Sequence, residues 1–93
     1  MDKRKFQSRP GGFFLEDNGK TVAEISYSAQ GEDVISIDHT YISPGLRGQG
    51  IADELVRAVV AYARAEGLKI IPVCSYAGHY FDKNLDDRPL LHT

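Results

Sequence analysis

Polar and apolar residues alternate along the first half of the chain and recur at helical steps in the second. Residues 13–16 and 21–28 are strand-like and flank Asp17-Asn18-Gly19-Lys20, where Asn-Gly between two such runs predicts a tight hairpin. Ala29-Gln30-Gly31-Glu32 separates the second run from a third, residues 33–43, in which β-branched and polar residues alternate. Strict alternation there puts Ile35, Ile37, His39 and Tyr41 on one face, with Val34, Ser36, Asp38, Thr40 and Ile42 on the other. His39 thereby continues an apolar stripe. Ser43-Pro44-Gly45 ends the strand, because proline donates nothing to a ladder and glycine permits a sharp turn.

Over residues 49–66 the period changes. Ile51, Leu55, Ala58, Val59 and Tyr62 recur at three- and four-residue steps, which predicts an amphipathic helix laid on a sheet. Asp53 and Glu54 fall in its first turn, where carboxylates complement the helix dipole, and Gly67 marks its end. Leu68-Lys69-Ile70-Ile71-Pro72-Val73-Cys74 is a short, nearly continuous apolar run, read as a buried strand parallel to the third because a helix intervenes. Pro72 removes a ladder donor, so pairing should fail near Cys74. Residues 75–84 predict a short helix capped by Ser75, with Tyr76, Tyr80 and Phe81 on one side. Residues 85–93 carry Pro89 and no periodicity. The fold class is therefore α+β, a mixed sheet with helices in a single domain spanning residues 1–93, of which residues 1–10 are expected to be a flexible arm.

Composition narrows the function. With 93 residues, 42% of them hydrophobic and 26% charged, the chain has material for one core. A net charge of −2 and a pI near 5.8 give no whole-molecule attraction to nucleic acid or an acidic membrane. Lys3-Arg4-Lys5 is the one cationic cluster and is read as a solvated arm. No apolar run is long enough to cross a bilayer and no apolar signal segment opens the chain, so a cytoplasmic protein is expected. The single cysteine, Cys74, excludes an internal disulfide. His39, His79 and His92 lack ligand spacing, so no metal site is expected.

The candidate chemistry centres on Leu46-Arg47-Gly48-Gln49-Gly50-Ile51-Ala52, which joins the third strand to the long helix. The first amides of a helix have no internal partner, the dipole is positive there, and glycines let a phosphate approach the backbone. A nucleotide P-loop needs Lys-Ser or Lys-Thr after its last glycine, and Ile51-Ala52 follows instead. A dinucleotide fingerprint needs a third glycine where Asp53 stands. What remains is Arg-x-x-Gly-x-Ala. This resembles the coenzyme A pyrophosphate loop of the GNAT superfamily of acyl-CoA-dependent N-acyltransferases, whose pattern is Gln/Arg-x-x-Gly-x-Gly/Ala. His39-Thr40-Tyr41-Ile42, the loop itself, Ile70-Ile71-Pro72-Val73-Cys74-Ser75-Tyr76 and Leu90-Leu91-His92 together resemble the compact single-domain branch of uncharacterised GNAT-like N-acetyltransferases.

Charge and histidine spacing, as above, lead to no expected metal and no nucleic-acid partner, and the resemblance implies acetyl-CoA as acyl donor with an amine acceptor that includes peptides or proteins. It places the pyrophosphate on Arg47 and the amides of Gly48, Gln49, Gly50, Ile51 and Ala52. Pantetheine would run between the third and last strands, pairing with backbone near Tyr41 and Ile42, with Tyr80 also at the cofactor. The thioester would lie near His39 and Cys74. Cys74 is then a nucleophile deprotonated by His39, or His39 deprotonates the amine directly while Cys74, Tyr76 or Tyr80 protonates the departing sulfur. Against these roles stand plainer ones: a core cysteine, a buried and satisfied histidine, aromatic residues lining a core or channel, and His79 and His92 at the surface or in the tail. One departure matters. Members of the superfamily place one or two helices between their first two strands, whereas Asp17-Asn18-Gly19-Lys20 leaves room only for a turn, so the acceptor wall is missing. Three functions remain: an N-acetyltransferase, a coenzyme A-binding module without transfer, and a protein-interaction domain that keeps the fold. A monomer is expected, since nothing resembles a zipper or an apolar seam.

Overall fold

The structure, a computed structural model, describes residues 6–92. Five strands, β1 (Gln7–Arg9), β2 (Gly12–Asp17), β3 (Lys20–Ala29), β4 (Val34–Ile42) and β5 (Lys69–Pro72), form one sheet in chain order. The first three pairings are antiparallel and β4 with β5 is parallel, as a helical crossover requires. Helices α1 (Ile51–Glu66) and α2 (Ser75–Lys83) complete the mixed α+β architecture. The β2–β3 hairpin turns through Asn18 at φ 52° and Gly19 at φ 79°, the left-handed pair that a two-residue hairpin demands.

Residues 7–9 belong to the sheet and not to an arm. Gln7 pairs with Phe14 and Arg9 with Gly12, and Arg9 lies over the Phe14 ring at 4.8 Å while its guanidinium bonds Glu24 at 2.8 Å. Residues 1–5 of the expected arm, including Lys3-Arg4-Lys5, lie outside the described residues. The tail is also tied down. Residues Leu85–Leu90 form a 3-10 run, Lys69 Nζ donates to the Pro89 carbonyl at 2.7 Å, and the His92 amide donates to Ile70 at 2.9 Å. Aperiodic sequence hid this order because the tail's partners belong to β5.

Helix α1 starts at Ile51, two residues later than its periodicity suggests, because Gly50 is left-handed at φ 78° and serves as the N-cap. Gly67, at φ 70°, ends it and donates its amide to Ala63. Its buried face, Ile51, Leu55, Val56, Val59, Val60 and Ala63, covers Ile25, Ile35, Ile37 and Ile70 of the sheet. Ala77, Tyr80 and Phe81 of α2 join the same core.

The feature that most affects the site is a β-bulge. Ser26 pairs with His39 and Tyr27 with Ile37, so Asp38 has no opposite residue. One extra residue reverses the alternation beyond it. Thr40 and Ile42 therefore join Ile35 and Ile37 on the α1 face, opposite Ile25 and Ala23, while His39 and Tyr41 turn to the other face. The uninterrupted stripe Ile35, Ile37, His39, Tyr41 is thus corrected.

Candidate functional site

The loop after β4 is built by short-range constraints. Pro44–Leu46 form a 3-10 turn, the Leu46 amide donates to Ser43 at 2.9 Å, and Arg47 is extended. Gly48 and Gly50 then take φ of 83° and 78°, so the chain reverses in two left-handed steps that side chains resist. A Cβ on either glycine would meet nothing within 4 Å. Among the described residues, no backbone carbonyl accepts from the amides of Gly48, Gly50, Ile51 or Ala52, as expected at the amino end of a helix.

These residues form one wall of a cleft of about 250 Å³. The opposing wall is α2, which contributes Tyr76, His79 and Lys83 at one-turn intervals. Lys83 Nζ reaches the Asp53 carboxylate in the first turn of α1 at 2.8 Å. Arg47 is turned toward the strand: its Nε donates to the Ile42 carbonyl at 3.2 Å. The Ser43 amide donates to the Val22 carbonyl, so the backbone of residue 43 faces β3 and the backbone groups of Ile42, and by alternation Thr40, point away from it. Tyr41 is thereby placed with its backbone toward β3 and its ring, 47% exposed, on the face away from α1.

Pairing between β4 and β5 stops where Pro72 predicts. Ile37 and Pro72 are the last partners, and the Ile37 carbonyl accepts from both Val73 and Cys74 at 3.1 Å. Beyond that point the strands part. Cys74 sits at the apex, half-buried and at the N-cap of α2, a place the sequence assigned to Ser75. Its Sγ lies 3.3 Å from Thr40 Oγ1. The expected pairing with His39 is not formed, because the bulge puts the exposed imidazole on the opposite face. Tyr76 does line the cleft. Tyr80 does not: it is 1% exposed, and its hydroxyl donates to Asp87 at 2.5 Å. Burial first, then that carboxylate, raises its pKa. A larger, open groove of about 830 Å³ lies between α1 and the segment after α2. Within it Arg64 and Tyr80 both donate to Asp87.

Sequence reasoning missed Thr40, His79 and Lys83. The last two share a helical face with Tyr76, a periodicity available in the sequence, whereas Thr40 needed the bulge. Asp38 was also passed over. The hydroxyls of Ser28, then Ser36, bond its carboxylate and hold its pKa below the usual range. Such a depressed carboxyl contributes stability above the ordinary aspartate pKa, and that contribution is lost as pH falls through the folded-state value. Thermal melts from pH 7 to pH 2 should therefore fall less steeply in Asp38→Asn than in the parent.

Among the described residues no three His, Cys, Asp or Glu side chains group to hold a metal ion, and no helix is long and apolar enough to cross a membrane. Comparison with known proteins agrees with the loop and the topology. Residues 12–89 match the family described as GCN5-related N-acetyl-transferase. The chain is 31% identical over 62 residues to protein NATD1 of Gallus gallus, an alignment covering 67% of this chain and 56% of the relative. NATD1 of Homo sapiens matches at the same identity, with 55% of its length covered, so the chain spans just over half of the curated relatives it matches. The solution structure of a GCN5-like candidate N-acetyltransferase from Staphylococcus aureus superposes with a TM-score of 0.80 at 34% identity, covering 99% of this chain and 91% of that one. An aminoglycoside N-acetyltransferase in complex with CoA shares the fold, with a TM-score of 0.51 at 19% identity over 88% of this chain and 66% of its own. By the match over residues 12–89, most of its length, the chain belongs to the GCN5-related N-acetyltransferase family.

Proposed function

We propose that the protein is an acetyl-CoA-dependent N-acetyltransferase that acts on an amine and, with its one free thiol, works in the reducing cytoplasm. The carrying observation is the cleft lined by Gly48, Gly50, Ile51 and Ala52 of the glycine loop beside Ile42 at the end of β4, in a chain of this family. The residues fit a diphosphate. Open space at Gly48 and Gly50 leaves their amides accessible, and Ile51 and Ala52 add helix amides with the positive end of the dipole behind them. When bound, acetyl-CoA supplies an activated acyl thioester. Backbone groups of Thr40 and Ile42 are placed to pair with its amides as an added strand would, and Thr40 and Cys74 stand at the end of that track.

The geometry favours direct attack over a covalent intermediate. A cysteine nucleophile needs a base, and the neighbour of Cys74 is the Thr40 hydroxyl, not the His39 imidazole. His39 instead faces the open side of the sheet, where it would take a proton from an amine arriving over that surface. Cys74, or Tyr76 from the cleft wall, would return a proton to the departing sulfur. No helix intervenes between β2 and β3, so the acceptor approaches an open face wide enough for a peptide terminus or a lysine side chain. The same missing wall favours a second reading, a module that binds coenzyme A without transfer.

Turnover with acetyl-CoA and a panel of peptides and small amines separates these readings. Direct transfer predicts coenzyme A release that depends on amine, no gain of about 42 Da on Cys74 in intact-mass spectra, and a lower kcat in His39→Gln with unchanged coenzyme A affinity. Tight coenzyme A binding with no turnover for any amine would establish the binding module. A stable acetyl-cysteine would restore the covalent route.

A further inference from the structure

We propose that His79 and Lys83 form a hydrogen-bond-donating wall for the phosphates of coenzyme A, with Asp53 holding Lys83 in position until the phosphates replace it. This rests on the reading of the cleft as a coenzyme A site and names the side chains that select for phosphate there. The glycine loop offers amide dipoles, and Arg47 is tethered to the Ile42 carbonyl at 3.2 Å. A diphosphate carries full negative charge, and charge-assisted bonds to it are roughly twice as strong as neutral ones. The side-chain donors facing the loop come from α2: His79 lies one turn beyond Tyr76 and Lys83 one turn beyond His79, all three on the cleft.

Lys83 already behaves as a ligand for an anion at this place. Its ammonium bonds Asp53, a first-turn carboxylate, at 2.8 Å across the cleft. Asp53 occupies the end of α1 where the dipole stabilises negative charge, which is the position the resemblance gives to a pyrophosphate. With Lys83 61% and Asp53 34% exposed, the ion pair is held weakly and exchanges readily. An incoming phosphate therefore draws Lys83 from Asp53 without disturbing the core. The carboxylate left behind repels the ligand, so Asp53 weakens affinity while it orients the lysine.

Titration calorimetry at low salt, with coenzyme A and pantetheine as probes, tests this. Lys83→Gln should weaken coenzyme A binding about tenfold and His79→Gln about threefold, since each removes one charge-assisted contact. Asp53→Asn should tighten it about threefold, an effect diminished in the Asp53→Asn/Lys83→Gln double variant. Pantetheine, which lacks the phosphates, should bind all four variants as it binds the parent. All these positions are on the cleft surface, so thermal melts should stay close to the parent's. Coenzyme A affinity within twofold of the parent in both Lys83→Gln and His79→Gln would overturn the inference while leaving the site intact. Equal losses for coenzyme A and pantetheine would also overturn it, by showing a structural role. A parent protein that binds no coenzyme A would overturn the underlying reading as well.

Discussion

Gly50→Glu is expected to abolish coenzyme A binding, raising Kd about a hundredfold or more, while the protein remains folded. Gly50 is the N-cap of α1 at φ 78°, and nothing lies within 4 Å of the position a Cβ would take. The glutamate therefore clashes with no part of the fold and costs only the left-handed backbone, about 1–2 kcal/mol. Its carboxylate, however, stands among the amides proposed to receive a diphosphate. Two like charges in a narrow cleft repel strongly, and the side chain also occupies the approach that glycine leaves open. Gly50→Asn separates the two effects. Asparagine visits the left-handed region and caps helices well, so this variant should keep the parent's melting temperature and lose far less affinity. Calorimetry and circular dichroism on the pair decide the matter: parent-like coenzyme A affinity in Gly50→Glu would mean the phosphates bind elsewhere.

Gly12→Ala is expected to destabilise the fold by about 3 kcal/mol, because it forces a methyl group into a closed backbone contact. Gly12 opens β2, is buried, and pairs with Ser26; a Cβ there would stand 2.4 Å from the Ile25 carbonyl oxygen. That oxygen belongs to a rigid central strand whose side chain is fully buried in the core, so it cannot give way cheaply. For a domain of this size the loss corresponds to a fall of about 12–24 °C in melting temperature and a large share of total stability. Gly31→Ala is the matched control, lying in the exposed β3–β4 connection with nothing within 4 Å, and should change stability by less than about 0.5 kcal/mol. Urea melts of both variants test the contrast. If Gly12→Ala matches Gly31→Ala, the β2–β3 register is not the one described.

Much of this architecture could be read before any coordinates, and the parts that could share one property. Asn18-Gly19 demands left-handed backbone within a two-residue turn, Gly67 ends a helix in the same conformation, and Pro72 denies a ladder bond to its own strand. The glycine loop is equally local, since Gly48 and Gly50 turn the chain within a few residues of the helix they open. The stripe on α1 follows from a period that no distant partner alters. In each case the residues that impose the geometry are those that adopt it.

The end of the candidate site beside Cys74 was legible only in part. Cys74 lies at the apex where β4 and β5 part, and Tyr76 lies on the cleft wall. Which side of the sheet His39 and Thr40 occupy depended on Asp38 being left unpaired, and that is a property of the β3–β4 register, set by pairing between separate strands with no glycine on β4 to announce it. Tyr80 looked like a channel residue until the packing of α2 on α1 turned it inward to Asp87. Residues 7–9 and the tail acquired order only from the strands beside them, because short segments without periodicity cannot stabilise themselves. The sequence alone thus determined the turns, the long helix and the glycine loop, where local backbone preferences suffice. Tertiary pairing decided which side chains meet, since one residue of register reverses every face beyond it.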